Sequence, residues 1–346
     1  MIRQGEGRLK VGLAGLGTMG RNHLRNLVGR DDVVLTAVAD PSDDARAQAA
    51  EAAGASVHRY SEPATMLAEQ DLDALIVAVP TTLHFHVAID AIRRGVSVLV
   101  EKPIASSIVD AQHLIRAAHE HDVVLQTGHI ERFNPVVLAL AERLRAGDLS
   151  RIHSIKTIRG GPLPERIRDV GVAIDLATHD LDIMIDLLGE RPVRVSAERS
   201  RQVHSAHEDL LYGLLYFPSG IVGLLDVNWL TPEKQRRIVV LGSEGMFQVD
   251  YLTQSLTFTR GAAVLSPSYH GGYAAMFEGD TVTIEVDQAE PLKRELDAFF
   301  ASVRDGIPAQ VTGEDGLTAL TVAKLLLSAA DEGRSLPVPE QATVAS

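Results

Sequence analysis

Apolar positions fall into two regimes along the 346-residue chain. Up to about residue 130, short β-rich runs alternate with stretches of helical period: LKVGLAG (9–15), VVLTAVAD (33–40), SVHRY (56–60), ALIVAV (74–79), SVLVEK (97–102) and VVLQTG (123–128). Strands that alternate with helical patterns predict a parallel sheet with crossover helices, the doubly wound α/β arrangement of a Rossmann domain. Between the runs, Ser42 and Ser61 read as helix N-caps, and Gly54 and Gly95 as helix stops.

From Asn134 the pattern changes. An amphipathic helix to about Gly147 leads to a strand RIHSIKTIR, an irregular loop GGPLPERIRDVG, and a helix from about Val172 to Leu188. Strand-like stretches then follow one another without helices between them, including LLYGLLYF and IVGLLDVNWL joined by PSG. Hairpin-linked strands predict an α+β domain with a large open, mostly antiparallel sheet. Late helices from near Pro291 and Glu314 finish the pattern, with a long loop expected over 261–280. The expected division is a Rossmann domain over 1–130, an α+β substrate-binding and oligomerisation domain over 131–338, and a loose tail over 339–346.

Composition narrows this picture only at its edges. At 45% hydrophobic and 23% charged residues the chain has an ordinary globular mix. No apolar run reaches the ~18 residues of a membrane helix, and no h-region precedes the first strand, so a cytoplasmic location is the default expectation. Without cysteine there are no disulfides, thiolate metal sites or thiol nucleophiles. A net charge of −13 argues against nucleic-acid and membrane partners, and any anionic ligand must meet a local positive site.

Candidate chemistry gathers at the carboxyl ends of the expected strands. VGLAGLGTMG sets Gly15, Gly17 and Gly20 in G-x-G-x-x-G spacing between a strand and a helix, so the N–H groups around Leu16, Thr18 and Met19 face an incoming pyrophosphate. Asp40, at the end of the second strand, is placed to accept both ribose hydroxyls, and its charge favours NAD over NADP. Val79, Pro80 and Thr81 share that edge and can line the cofactor path, with His84 at the start of the following helix. His84 and His86 are two residues apart in a helix, which points them away from each other, and no metal site is expected.

Glu101 and Lys102 end the fifth strand, and Pro103 fixes its own φ and pushes Lys102 into extended backbone. A cation held there can hydrogen-bond a substrate hydroxyl and stabilise a developing alkoxide. Four positions separate Asp175 from His179, which puts both on one helix face as a tuned acid–base pair or as an ordinary helical ion pair. Arg132 and Asn134 follow the last Rossmann strand, and Arg159, Arg166 and Arg168 precede the Asp175 helix. These are candidates to clamp a diphosphate, or to form a solvated basic loop.

GLGTMG, VAVPTTLH, EKPIA and the Asp175-to-His179 helix, in that order, resemble the Gfo/Idh/MocA oxidoreductases. The resemblance implies that Lys102 and His179 take part in alcohol oxidation with Asp175 assisting, that NAD or NADP carries the hydride, and that the protein is a homodimer or homotetramer. GHIERFNP (128–135) and PERIRDVGVAIDLATHDLD (164–182) resemble the branch that oxidises nucleotide-linked amino sugars, the UDP-N-acetylglucosamine 3-dehydrogenases. DVGVAI replaces the family's frequent Gly-rich triplet, as it does in that branch, and Thr81 stands where Asn is frequent. The expected activity is therefore NAD-dependent oxidation at C3 of UDP-N-acetylglucosamine. The alternatives are a dehydrogenase or reductase of another sugar or inositol, or an NAD-dependent glycosidase of the same fold.

Overall fold

A computed structural model of the chain describes residues 7–54, 56–164, 170–261 and 279–339. The long loop expected over 261–280, the tail expected over 339–346 and the residues Arg166 and Arg168 fall largely or wholly outside these segments.

Six parallel strands form the first sheet: β1 (Leu9–Ala14), β2 (Val33–Ala39), β3 (His58–Tyr60), β4 (Ala74–Val77), β5 (Ser97–Glu101) and β6 (Leu125–Gly128). Their order is β3-β2-β1-β4-β5-β6, the doubly wound order of dinucleotide-binding sheets. Residues of β4 and β5 are buried throughout, as strands covered on both faces must be. The crossovers are α1 (Thr18–Leu27), α2 (Asp43–Ala53), α3 (Pro63–Glu69), α4 (Thr81–Arg93) and α5 (Ile108–Glu120).

Ser42 caps α2 by accepting from the Ala45 N–H, as its position predicts. Ser61 does not cap α3. Glu62 occupies the cap position because Pro63, with φ already fixed, opens that helix.

One late helix joins this unit. From α8 (Pro291–Asp305), Leu296, Phe299 and Phe300 pack into the same core as Val11, Leu13, Ile76 and Leu99. Compact packing accordingly groups residues 290–321 with the described residues up to Phe133, whereas the sequence pattern assigns them to the second domain. The apolar spacing of α8 reveals a buried face without revealing which sheet it covers.

The second unit takes, of the described residues, those within 134–289 and 322–339. Here α6 (Pro135–Arg145) precedes β7 (Ile152–Pro162), and a π-helical turn (Ala173–Ala177) runs into α7 (Thr178–Leu188). There follow β8 (Arg194–Ser200), β9 (Leu210–Tyr216), β10 (Val222–Asn228), β11 (Leu230–Gly242), β12 (Gly245–Asp250), β13 (Ser255–Arg260) and β14 (Thr281–Ile284). After α9 (Gly313–Glu332), β15 (Leu336–Pro337) completes a nine-stranded sheet ordered β14-β13-β12-β11-β7-β10-β9-β8-β15. Every named pair is antiparallel except β7 with β10.

Alternation along these strands puts one face on the core, where Ile155, Leu215, Leu225 and Val240 pack with α6, α7 and α9. The opposite face carries Leu214 and Leu224 in register.

Candidate active site

In the first unit the cofactor elements meet at the carboxyl ends of β1, β2, β4 and β5. Gly15 has φ +91°, and a Cβ there would lie 2.4 Å from the Ala78 carbonyl oxygen. A Cβ on Gly20 would lie 1.9 Å from the Gly15 oxygen, so the turn and helix pack without room for a side chain. At Gly17 a Cβ would meet nothing within 4 Å, and no side chain caps α1. Gly17 and Thr18 are exposed and Met19 half-buried, while Leu16 is buried beneath them. The first N–H groups of α1 thus open on a surface that a pyrophosphate can approach closely.

Asp40 stands beside this turn, its Oδ2 accepting from the Leu16 N–H (2.7 Å) and its Oδ1 from the Ser42 N–H (2.9 Å). The half-buried carboxylate keeps further acceptor capacity for a ribose. These features fit a dinucleotide: an open helix start for the phosphates and an oriented acid one strand away.

Val79 and Thr81 are half-buried and Pro80 exposed at the same edge. His84, expected at the start of α4 near the cofactor, bridges two carbonyls. Its Nδ1 lies 2.8 Å from the Pro103 carbonyl and its Nε2 2.9 Å from the Val79 carbonyl, with 1% of the residue exposed. Burial pushes the imidazole pKa down, against the pull of those two carbonyls and of Glu101. The ring ties the segment after β4 to the segment after β5.

Lys102 is half-buried at the tip of β5, its peptide to Pro103 cis. Glu101 before it is buried and accepts from His23 Nε2 at 2.7 Å. Burial would raise the Glu101 pKa, but the His23 hydrogen bond, with Lys102 and His84, holds it below the usual carboxylate range. Arg132, in the turn Ile130–Phe133, is buried and pairs with Asp315 (3.4 Å). A cation so engaged is part of the scaffold of this unit as much as a ligand contact.

In the second unit Asp175 sits in the π turn and His179 in the first turn of α7, both half-buried. The sequence pattern had read one continuous α-helix from Val172, but the π turn opens it. Glu208 holds this opening: its backbone carbonyl accepts from the Val172 N–H (3.1 Å) and its Oε1 from the Ala173 N–H (3.1 Å). Gly171 fits only because it lacks a side chain, since a Cβ would stand 2.1 Å from Glu208 Oε1.

Two candidates for the diphosphate clamp are engaged elsewhere in this unit. Arg159 makes a paired contact with Asp180, Nε to Oδ2 at 2.8 Å and Nη2 to Oδ1 at 3.1 Å, with the arginine side chain 4% and the aspartate side chain 1% exposed. Its guanidinium also lies 5.3 Å from the Tyr251 ring centre. Arg159 therefore braces the His179 helix against β7. Asn134 caps α6, its Oδ1 accepting from the Val136 N–H (3.3 Å), and is buried there.

Sequence reasoning passed over His23, Glu208 and Glu295. His23 and Glu295 each had a legible signal. His23 shares the buried stripe of Gly20, Leu24 and Leu27, and Glu295 that of Leu292, Leu296 and Phe299. Glu208 precedes a strand in a polar stretch and carries no such mark.

The glycine turn, the parallel sheet and the oriented acid define an NAD-binding oxidoreductase. Residues 9–129 match the oxidoreductase family with an NAD-binding Rossmann fold, and residues 137–248 match the GFO/IDH/MocA C-terminal domain. The chain belongs to the Gfo/Idh/MocA family. Among relatives, it is 26% identical over 342 residues to a myo-inositol 2-dehydrogenase of Thermotoga maritima, spanning 96% of this chain and 99% of that one. It is 27% identical over 316 residues to a UDP-N-acetylglucosamine 3-dehydrogenase of Acidithiobacillus ferrooxidans, spanning 91% and 95%. The solved structure of the Acidithiobacillus enzyme superposes with a TM-score of 0.81 at 25% identity, over 94% of this chain and 98% of that one.

Proposed function

We propose that the protein oxidises a secondary alcohol on a sugar or cyclitol ring with NAD, and that its substrate is UDP-N-acetylglucosamine, oxidised at C3. The observation that carries the reaction class is Lys102, half-buried at the tip of β5 on the same sheet edge as the open glycine turn. Bound NAD supplies the hydride acceptor for the carbinol carbon. The Lys102 ammonium polarises the hydroxyl oxygen, His179 accepts its proton, and Asp175 orients the imidazole. Loss of one hydride and one proton leaves a ketone.

The GHIERFNP and PERIRDVGVAIDLATHDLD segments and the likeness to the Acidithiobacillus enzyme support the nucleotide sugar. Free inositol is the second reading, favoured by the burial of Arg159 against Asp180 and by the similarity to the Thermotoga enzyme. UDP-N-acetylglucosamine deuterated at C3 tests the first reading. Deuterium should appear in the reduced cofactor, whereas turnover of myo-inositol alone would assign the cyclitol.

Assembly belongs to the same proposal. The outer face of the nine-stranded sheet exposes Tyr212, Leu214, Leu224 and Leu241 at 37–49%. Lys156 on β7 and Asp226 on β10 lie on the same face. A face with opposite charges flanking an apolar centre complements itself across a two-fold axis, so its occupant is a second copy of the chain, in a homodimer or within a homotetramer.

A further inference from the structure

A buried group of ionisable side chains lies directly behind Lys102, within the first unit. Glu101 is its centre. His23, with none of its surface exposed, reaches Glu101 from α1, the helix that opens on the glycine turn. Glu295 on α8 is likewise fully buried, and neither of its carboxyl oxygens has a hydrogen-bonding partner among the described residues. Gln126 on β6 donates to the Glu295 backbone carbonyl (3.4 Å), and a Cβ on Gly128, in register with Glu101, would lie 3.1 Å from Glu101 Oε2.

Two carboxyl groups buried in one interior do not both ionise readily. Burial pushes the Glu295 pKa well above its ordinary value, and the charge on Glu101 adds to this. The groups that face Glu101 are His23 from α1, His84 from α4, Glu295 from α8 and the adjoining Lys102. A single anion, seated on Glu101, is the arrangement these neighbours favour.

We propose that His23 and Glu295 are positioning residues for the alcohol oxidation, confining one negative charge to Glu101 and tying the strand end that bears Lys102 to the helix that receives the cofactor. The proposal rests on the reading of Lys102 given above. A strand end so tied holds the lysine in register with the dinucleotide, and sub-ångström placement of a polarising group strongly affects turnover.

Kinetics across pH, with NAD and the alcohol that is turned over, test this in His23→Leu, His23→Gln, Glu295→Gln and Lys102→Ala. His23→Leu should lower kcat about tenfold or more with the KM for the alcohol within about threefold, and move the acid limb of kcat to higher pH. His23→Gln, whose carboxamide can donate to Glu101, should recover most of the loss. If the leucine variant does not fold, His23→Asn, too short to reach Glu101, carries the same expectation. Glu295→Gln should shift the alkaline limb upward. A folded His23→Leu or His23→Asn protein with wild-type kcat and acid limb overturns the role of His23, and an unmoved alkaline limb in Glu295→Gln overturns that of Glu295.

Lys102→Ala separates this idea from the reading beneath it. If Lys102→Ala loses turnover while the His23 variants keep it, only the cluster fails. If Lys102→Ala retains turnover, the chemistry assigned to Lys102 fails. The cluster is then decided without substrate: the acid-side fall of the unfolding midpoint should begin at higher pH in His23→Leu than in wild type, and an unchanged fall overturns it.

Discussion

Asp40 receives backbone N–H groups from Leu16 and Ser42, which fixes its carboxylate beside the glycine turn. Its orientation does not depend on cofactor. Asp40→Ala should therefore raise the KM for NAD roughly tenfold or more, the scale of a lost hydrogen bond to a charged group, and narrow the preference over NADP. Steady-state kinetics with both cofactors check this.

Arg159 makes a sharper case. Removing it takes a paired guanidinium from the buried Asp180, at a cost of up to about 3–5 kcal/mol. Arg159→Leu should lower the unfolding midpoint in calorimetry. A clamp on substrate would instead raise KM and leave stability alone. At this scale the glycines and Asp40 were legible because their spacing is local. The partner of Arg159 was not, since Asp180 lies 21 residues away and only the β7-to-α7 packing joins them.

Among the elements, α8 links packing to pH. Glu295 is a carboxyl whose folded pKa is raised, so its contribution to stability is whole below the ordinary value of 4.5 and is lost as pH rises toward the folded value. Burial, and after it the charge on Glu101 of β5, favour its protonated form. Glu295→Gln removes that titration. The variant should match wild type in acid and unfold at a higher temperature than wild type in alkali, as scanning calorimetry at several pH values would record.

The π turn before α7 is the second such element. Glu208→Ala frees the Ala173 N–H and opens space beside Gly171, so turnover should fall by about tenfold while NADH binding is unchanged. Fluorescence titration with NADH separates the two effects. Strands β1 to β6 and the late helices were legible from period and punctuation. The π turn was not, because an i-to-i+5 hydrogen-bond pattern leaves no periodic mark in five residues.

For the whole molecule, the first sheet was readable as parallel because crossover helices enforce it, and the second as mostly antiparallel because its strands follow one another without helices. Among the described strands of the second sheet the one parallel contact, β7 with β10, was not located by the pattern because it pairs strands separated by α7, β8 and β9. The placement of α8 on the first sheet escaped for the same reason: chain order does not fix which core a late helix joins. The exposed face of the second sheet predicts assembly. Leu224→Asp should shift sedimentation toward a smaller species while the far-ultraviolet dichroism is unchanged. An unchanged sedimentation coefficient would remove that face from the interface.

Oxidation of an alcohol by NAD is the claim on which the other assignments stand. The most direct measurement is the rise of NADH absorbance when the purified protein meets NAD and UDP-N-acetylglucosamine, run beside myo-inositol and beside Lys102→Ala and His179→Ala. NADH should form with the nucleotide sugar and fall by about a hundredfold or more in each variant. Absence of NADH with every alcohol, or undiminished formation in both variants, would contradict it.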